Sequence, residues 1–111
     1  MGLARRFLLA VALLALPALG YAQTEAIITG TVVDQTGGVL PGVTVTATHE
    51  ATGNTFVAVT DERGAFRMQT RVGAYRITLE LQGFQTITRT GLNLLAGQTA
   101  NLPLQMSPST V

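Results

Sequence analysis

From Ile28 onward, apolar and polar residues alternate in short runs, and glycine or proline punctuates almost every gap between them. A period of two places alternate side chains on opposite faces of a strand. The stretch Ile28 to Val45, ITGTVVDQTGGVLPGVTV, sets the grammar with a strand, a turn and a second strand. Its first strand is predicted over Ala26–Val33, and Asp34–Gly38 is a turn in which Gly37 and Gly38 can supply positive φ. After Pro41 and Gly42 the chain restarts at Val43–His49, with Val43, Val45 and Ala47 on a core face and Thr44, Thr46 and Thr48 on a wet one.

The same pattern continues to the end. Asn54–Thr60 carries Phe56, Val57, Ala58 and Val59 on both faces, which predicts a central strand. Asp61–Gly64 reads as a tight charged hairpin before Ala65–Thr70, and Arg71, Val72 and Gly73 turn the chain again. Ala74–Gln82 alternates most cleanly, with Tyr75, Ile77, Leu79 and Leu81 against Arg76, Thr78, Glu80 and Gln82, so it belongs at the centre of the core. Gly83 allows a bend, Phe84 plugs one end, and Gln85–Arg89 is a short strand. Leu92, Leu94 and Leu95 cover an edge or open the last strand, Thr99–Met106, which Pro103 assigns to the edge of a sheet. Seven short strands without helical periodicity predict an all-β fold, an antiparallel Greek-key sandwich.

The first residues follow a different rule. Arg5 and Arg6 precede an apolar run from Phe7 to Leu16, and Gly20, Tyr21 and Ala22 offer a small-residue cleavage site. These are the marks of a secretory signal peptide over residues 1–22, preceding a sandwich domain over 23–106 and a polar tail or linker start over 107–111. Ten apolar residues are half of the roughly 20 that a membrane-spanning helix needs, so no span is expected in the mature chain. Export out of the cytoplasm is therefore expected, with secretion as one destination.

Cleavage after Ala22 removes 22 of the 111 residues and leaves 89, one small domain. It also removes Arg5 and Arg6, leaving five arginines against six acids and a net charge of −1. A surface so sparsely and evenly charged excludes nucleic acid as a partner. With no cysteine in the chain, the core alone must hold the exported fold. With no lysine, Schiff-base chemistry and a lysine isopeptide cross-link are excluded as well.

The succession GTVVDQTGGVLPGVTVTATHEATG, TDERGAFRM, VGAYRITLELQGFQT and LLAGQTANLPLQM resembles the carboxypeptidase regulatory-like family, the transthyretin-like or prealbumin-like sandwich. The resemblance covers Ile28 to Met106. The arrangement of leader, module and GFQTITRTGLNLLAGQTANLPLQM is similar to the N-terminal domain of Oar-like TonB-dependent outer-membrane receptors, with a plug and barrel expected to follow. It implies a module in the periplasm or at the outer membrane, expected to work by contact with protein partners; the residues offer no nucleophile, base and metal constellation, so an enzyme is not expected.

Candidate chemistry is sparse. His49 is the only histidine and reads as a surface residue at a strand end. Asp61 and Glu62 read as turn residues, because a calcium loop needs oxygen ligands at alternating positions. The threonines at 44, 46 and 48 follow strand propensity. Arg67 and Arg76 are expected on neighbouring strands near Glu80, forming an exposed charge pair. The alternative function is carbohydrate binding, for which the mature chain offers only Phe56, Phe66, Tyr75 and Phe84, mostly on core faces. No catalytic residue, cofactor or metal site is assigned.

Overall fold

The structure is a computed structural model and describes residues 24–109. The expected signal peptide lies outside these residues. Seven strands form two sheets: β1 (Glu25–Val33), β2 (Thr44–His49), β3 (Thr55–Val59), β4 (Ala65–Arg71), β5 (Gly73–Glu80), β6 (Ile87–Leu94) and β7 (Thr99–Gln105). One sheet has the order β4-β1-β7 and the other β3-β2-β5-β6. The expected all-β sandwich is what the chain forms.

Alternation places the core. Ile28 and Val32 of β1, Val45 and Ala47 of β2, Phe66 and Met68 of β4, Tyr75, Ile77 and Leu79 of β5, and Ala100 and Leu104 of β7 are all buried between the sheets. Packing two apolar faces of this kind, each otherwise exposed, is the main force holding such a fold together. β5 lies inside its sheet between β2 and β6, and β1 lies between β4 and β7, so these strands are flanked on both sides.

Several elements differ from the sequence reading, each for a physical reason. β3 is an edge strand, not a central one. Its inward residues Phe56 and Ala58 are partly buried against the core, while Val57 and Val59 are 61% and 59% exposed on the outer face. A run of apolar residues therefore marked one buried face and one uncovered one. Asp61–Gly64 is not a hairpin, because β3 and β4 belong to different sheets and the turn is a corner between them. Of the five strand pairings, β1 with β7 is parallel: residues 95–98 carry the chain from β6 across to the other sheet, where β7 runs alongside β1 in the same direction.

β6 reaches to Leu94, beyond the expected end at Arg89. Its pairing with β5 skips between Tyr75↔Leu92 and Ile77↔Arg89, so β6 spends an extra residue there. Gly91, at φ 79°, allows this bulge, and the bulge breaks the alternation that would have revealed the strand. At the other end, Ser107–Ser109 does not fray: Gln85 N–H donates to the Ser107 carbonyl and Ser109 N–H to the Gly83 carbonyl, both at 2.9 Å. Phe84, opposite Pro108, is partly buried at that end of the core.

Thr60 closes the Leu40–Val43 loop from inside. Its hydroxyl donates to the Leu40 carbonyl at 2.7 Å and accepts from Val43 N–H at 2.9 Å, and the residue is buried. Replacing Thr60 with Val keeps the shape but strands both backbone groups. Unsatisfied buried polar groups cost about 1–3 kcal/mol, so chemical denaturation of Thr60→Val should report a loss in that range with an unchanged m-value. A variant as stable as the parent would show that water takes over both bonds.

Candidate functional site

A concave place on the described surface lies at the end of the sandwich where β4 passes to β5. It has a volume of about 280 Å³ and is lined by Thr24, His49, Thr52, Asn54, Phe56, Arg71, Val72 and Tyr75. Only Val72 separates β4 from β5, so the chain must change sheets within one residue. Tyr75 stabilises that change: its hydroxyl donates to the Arg71 carbonyl at 2.8 Å and accepts from Arg71 N–H at 3.1 Å. The ring is fully buried, so a polar tip is spent on backbone that the corner leaves without sheet partners.

His49 packs on the same ring. Its imidazole meets Tyr75 edge-on, with centroids 5.1 Å apart and planes at 79°, and Phe56 approaches Tyr75 from 6.1 Å. The Nε2 of His49 lies 3.1 Å from the Val72 carbonyl, which can only accept, so Nε2 carries the proton. Nδ1 then accepts from Thr52 N–H at 3.3 Å and from the Thr52 hydroxyl at 3.0 Å. Gly73 makes room for this, since a Cβ there would run into His49 Nε2. His49 therefore sits at a strand end, as expected, but its ring is a brace between the β2–β3 turn and the β4–β5 corner. Both nitrogens are occupied by the chain itself, leaving neither for a metal or a proton transfer.

The other candidates do not converge. Asp61 Oδ1 accepts from Ala65 N–H at 3.0 Å and Arg63 N–H at 2.9 Å, the geometry of a turn. Asp34 does the same for the first turn, accepting from the Thr36 hydroxyl at 2.6 Å, Thr36 N–H at 2.8 Å and Gly38 N–H at 3.0 Å. Arg67 lies in β4 opposite Thr29 and Arg76 in β5 opposite Thr48, so the two arginines are on different sheets and the expected cluster with Glu80 does not form. Thr44, Thr46 and Thr48 face outward, and Thr46 shares one row across the sheet with Val57, Thr78 and Thr88. Among the described residues no three His, Cys, Asp or Glu side chains group so as to hold a metal ion. No described helix is long and apolar enough to cross a membrane. Phe66 and Tyr75 are buried and Phe56 and Phe84 partly so, which leaves no aromatic platform on the described surface for a sugar ring.

The two turn carboxylates give the fold a pH dependence. Hydrogen bonds from the Thr36 hydroxyl and backbone hold Asp34 below the ordinary carboxylate value, and those from Ala65 and Arg63 N–H hold Asp61 below it. A depressed folded value means that the stabilisation is complete above the ordinary value of about 3.9 and is lost as pH falls through the lower folded one. Thermal melts should show the parent losing stability on acidification through that window. The double variant Asp34→Asn, Asp61→Asn should lose less, because an amide oxygen still accepts and nothing titrates. Equal losses would place the acid sensitivity elsewhere.

The carboxypeptidase regulatory-like domain model matches residues 27–107, from within β1 to just past β7. The chain belongs to that family. Among curated proteins none matches. Solved structures share the family fold at low identity. The Bacillus anthracis TIE protein aligns with TM-score 0.61 and 15% identity, covering 77% of this chain and 17% of that one. 3-Chlorocatechol 1,2-dioxygenase from Rhodococcus opacus 1CP aligns with TM-score 0.63 and 15% identity, over 77% of this chain and 60% of that one. Acinetobacter radioresistens catechol 1,2-dioxygenase gives TM-score 0.64 and 11% identity, over 82% and 54%. The chain thus spans less than two thirds of each, and at these identities the likeness is one of fold. A carboxypeptidase regulatory-like sandwich can be carried by hosts with unrelated activities.

Proposed function

We propose that this protein is an exported, non-catalytic module of the cell envelope, which acts by presenting a rigid sandwich to protein partners in the periplasm or at the outer membrane. The observation that carries this reading is the placement of a family domain directly behind a leader pattern: β1 begins at Glu25, three residues after Ala22. The internal use of Tyr75, His49, Asp34 and Asp61 supports it, because each reactive side chain is already committed to holding a corner or turn. The finer reading is the N-terminal domain, or a relative, of a TonB-dependent outer-membrane receptor.

Fractionation of a Gram-negative host expressing a C-terminally tagged chain tests the export reading. Periplasmic or envelope-bound protein with Gln23 as its N-terminus is the expected outcome. Full-length protein retained in the cytoplasm would contradict it. The receptor reading has its own test in the coding sequence after Val111, where an in-frame plug and barrel is expected and a stop codon with no neighbouring receptor gene would reject it.

A further inference from the structure

The sandwich has four edge strands, and three of them carry a feature that discourages pairing. β4 presents Arg67 and Arg71, β6 contains Arg89 and the Gly91 bulge, and β7 contains Pro103. β3, Thr-Phe-Val-Ala-Val, has neither charge, proline, glycine nor bulge. It is also the strand whose outer face exposes two valines.

The direction of its backbone groups follows from the ends of the β2–β3 ladder. Thr60 N–H donates to Val43 O at 3.0 Å and His49 N–H to Asn54 O at 2.8 Å, which makes Val43/Thr60 and His49/Asn54 hydrogen-bonded pairs. Such pairs alternate in an antiparallel ladder, so Val45/Ala58 and Ala47/Phe56 are the bonded pairs between them. Thr55, Val57 and Val59 consequently turn their N–H and C=O groups away from β2, toward the open edge. The same three residues are those exposed on the outer face.

We infer that the β3 edge pairs with the β3 edge of a second copy of this chain, antiparallel and with the two-fold axis at Val57. That register sets Val57 against Val57 and Thr55 against Val59 of the other copy, satisfying outward groups of all three residues on each side. It joins the two four-stranded sheets into one of eight and lays the exposed valines side by side. Charge selects the direction. Antiparallel pairing brings the acidic corner Asp61–Glu62 of one copy to the uncharged Gly53–Asn54 end of the other, whereas parallel pairing would set two acidic corners together. Because each copy has one such edge, assembly closes at two. The inference gives the proposed contact module its first partner, and it is tested on purified protein so that its failure would leave the export experiment standing.

The test is molar mass by sedimentation equilibrium across micromolar to millimolar concentration. The parent should pass from one chain to two as concentration rises. Val57→Lys should remain at one chain with an unchanged circular-dichroism melt, and Thr55→Lys serves in its place should that variant fail to fold. The cysteine-free background adds a direct probe: under oxidation Val57→Cys should cross-link to itself, and Arg89→Cys on the opposite edge of the sheet should not. A one-chain mass throughout, growth beyond two copies, a dimer indifferent to the lysine substitution, or cross-linking favoured at position 89 would each overturn the inference.

Discussion

Tyr75→Ala should remove a large part of the stability of this domain. The side chain is fully buried, it is the largest such residue, and His49 and Phe56 both lean on its ring. Removing a buried aromatic costs about 3–5 kcal/mol, against a total of about 5–15 kcal/mol for an ordinary domain. At about 4–8 °C per kcal/mol for a domain of this size, the melting temperature should fall by roughly 12–40 °C. Tyr75→Phe separates the two roles of the residue. It keeps the packing but loses the bonds to Arg71, so a loss of about 1 kcal/mol is expected. If the two variants fell equally, the hydroxyl and not the ring would be the main support of the β4–β5 corner.

Gly30→Ala should have the second largest effect, though it adds one carbon. Gly30 lies in β1, the middle strand of its sheet, and faces the interior. A Cβ there would stand 2.5 Å from the Leu102 carbonyl oxygen and 2.5 Å from the Phe66 ring. The ring crosses the strand where a side chain would be, so either β7 or Phe66 must move. Forcing extra volume into a packed core costs about 1–3 kcal/mol, and Gly30→Val should exceed Gly30→Ala. Gly38→Ala is the matched control, because the nearest atoms to its added carbon would be the exposed side-chain oxygens of Asp34, at 3.3 Å, and of Thr36, at 3.6 Å, and it should change the melting temperature little. Equal effects at positions 30 and 38 would point to chain entropy in place of crowding.

These two residues also show what was legible in advance. Tyr75 is legible as core because Tyr75, Ile77 and Leu79 recur at a period of two, and period is a local property. Gly30 gave no such signal, since the Phe66 ring that needs the space is 36 residues away. The reading of β3 failed for a related reason: Phe56, Val57, Ala58 and Val59 are apolar on both faces, and only the sheet order decides that Val57 and Val59 are left uncovered. β6 was cut short by Gly91, whose positive φ accommodates a bulge that a strict alternation cannot contain. Parallel pairing of β1 and β7 joins strands from opposite ends of the domain, which no short window records.

The site was legible in its inventory but not in its geometry. The lack of cysteine and lysine already excludes thiol, Schiff-base and lysine isopeptide chemistry. That His49 would bridge Thr52 and Val72 across Tyr75 required the corner after Arg71 to fold back beside the end of β2. Asp34 and Asp61 are legible as turn residues, since turn geometry is local enough for the sequence to carry it.

The claim beneath all of this is that two sheets with β1, β2 and β5 in their interiors close on one apolar core. Amide hydrogen exchange, measured by NMR at low protein concentration, addresses it most directly. Ile28 to Val32, Val45 to Ala47 and Ile77 to Leu79 should contain the slowest amides and open together, with a free energy equal to that of global unfolding. Fast exchange at Ile77 to Leu79, or independent opening of the two sheets, would contradict it.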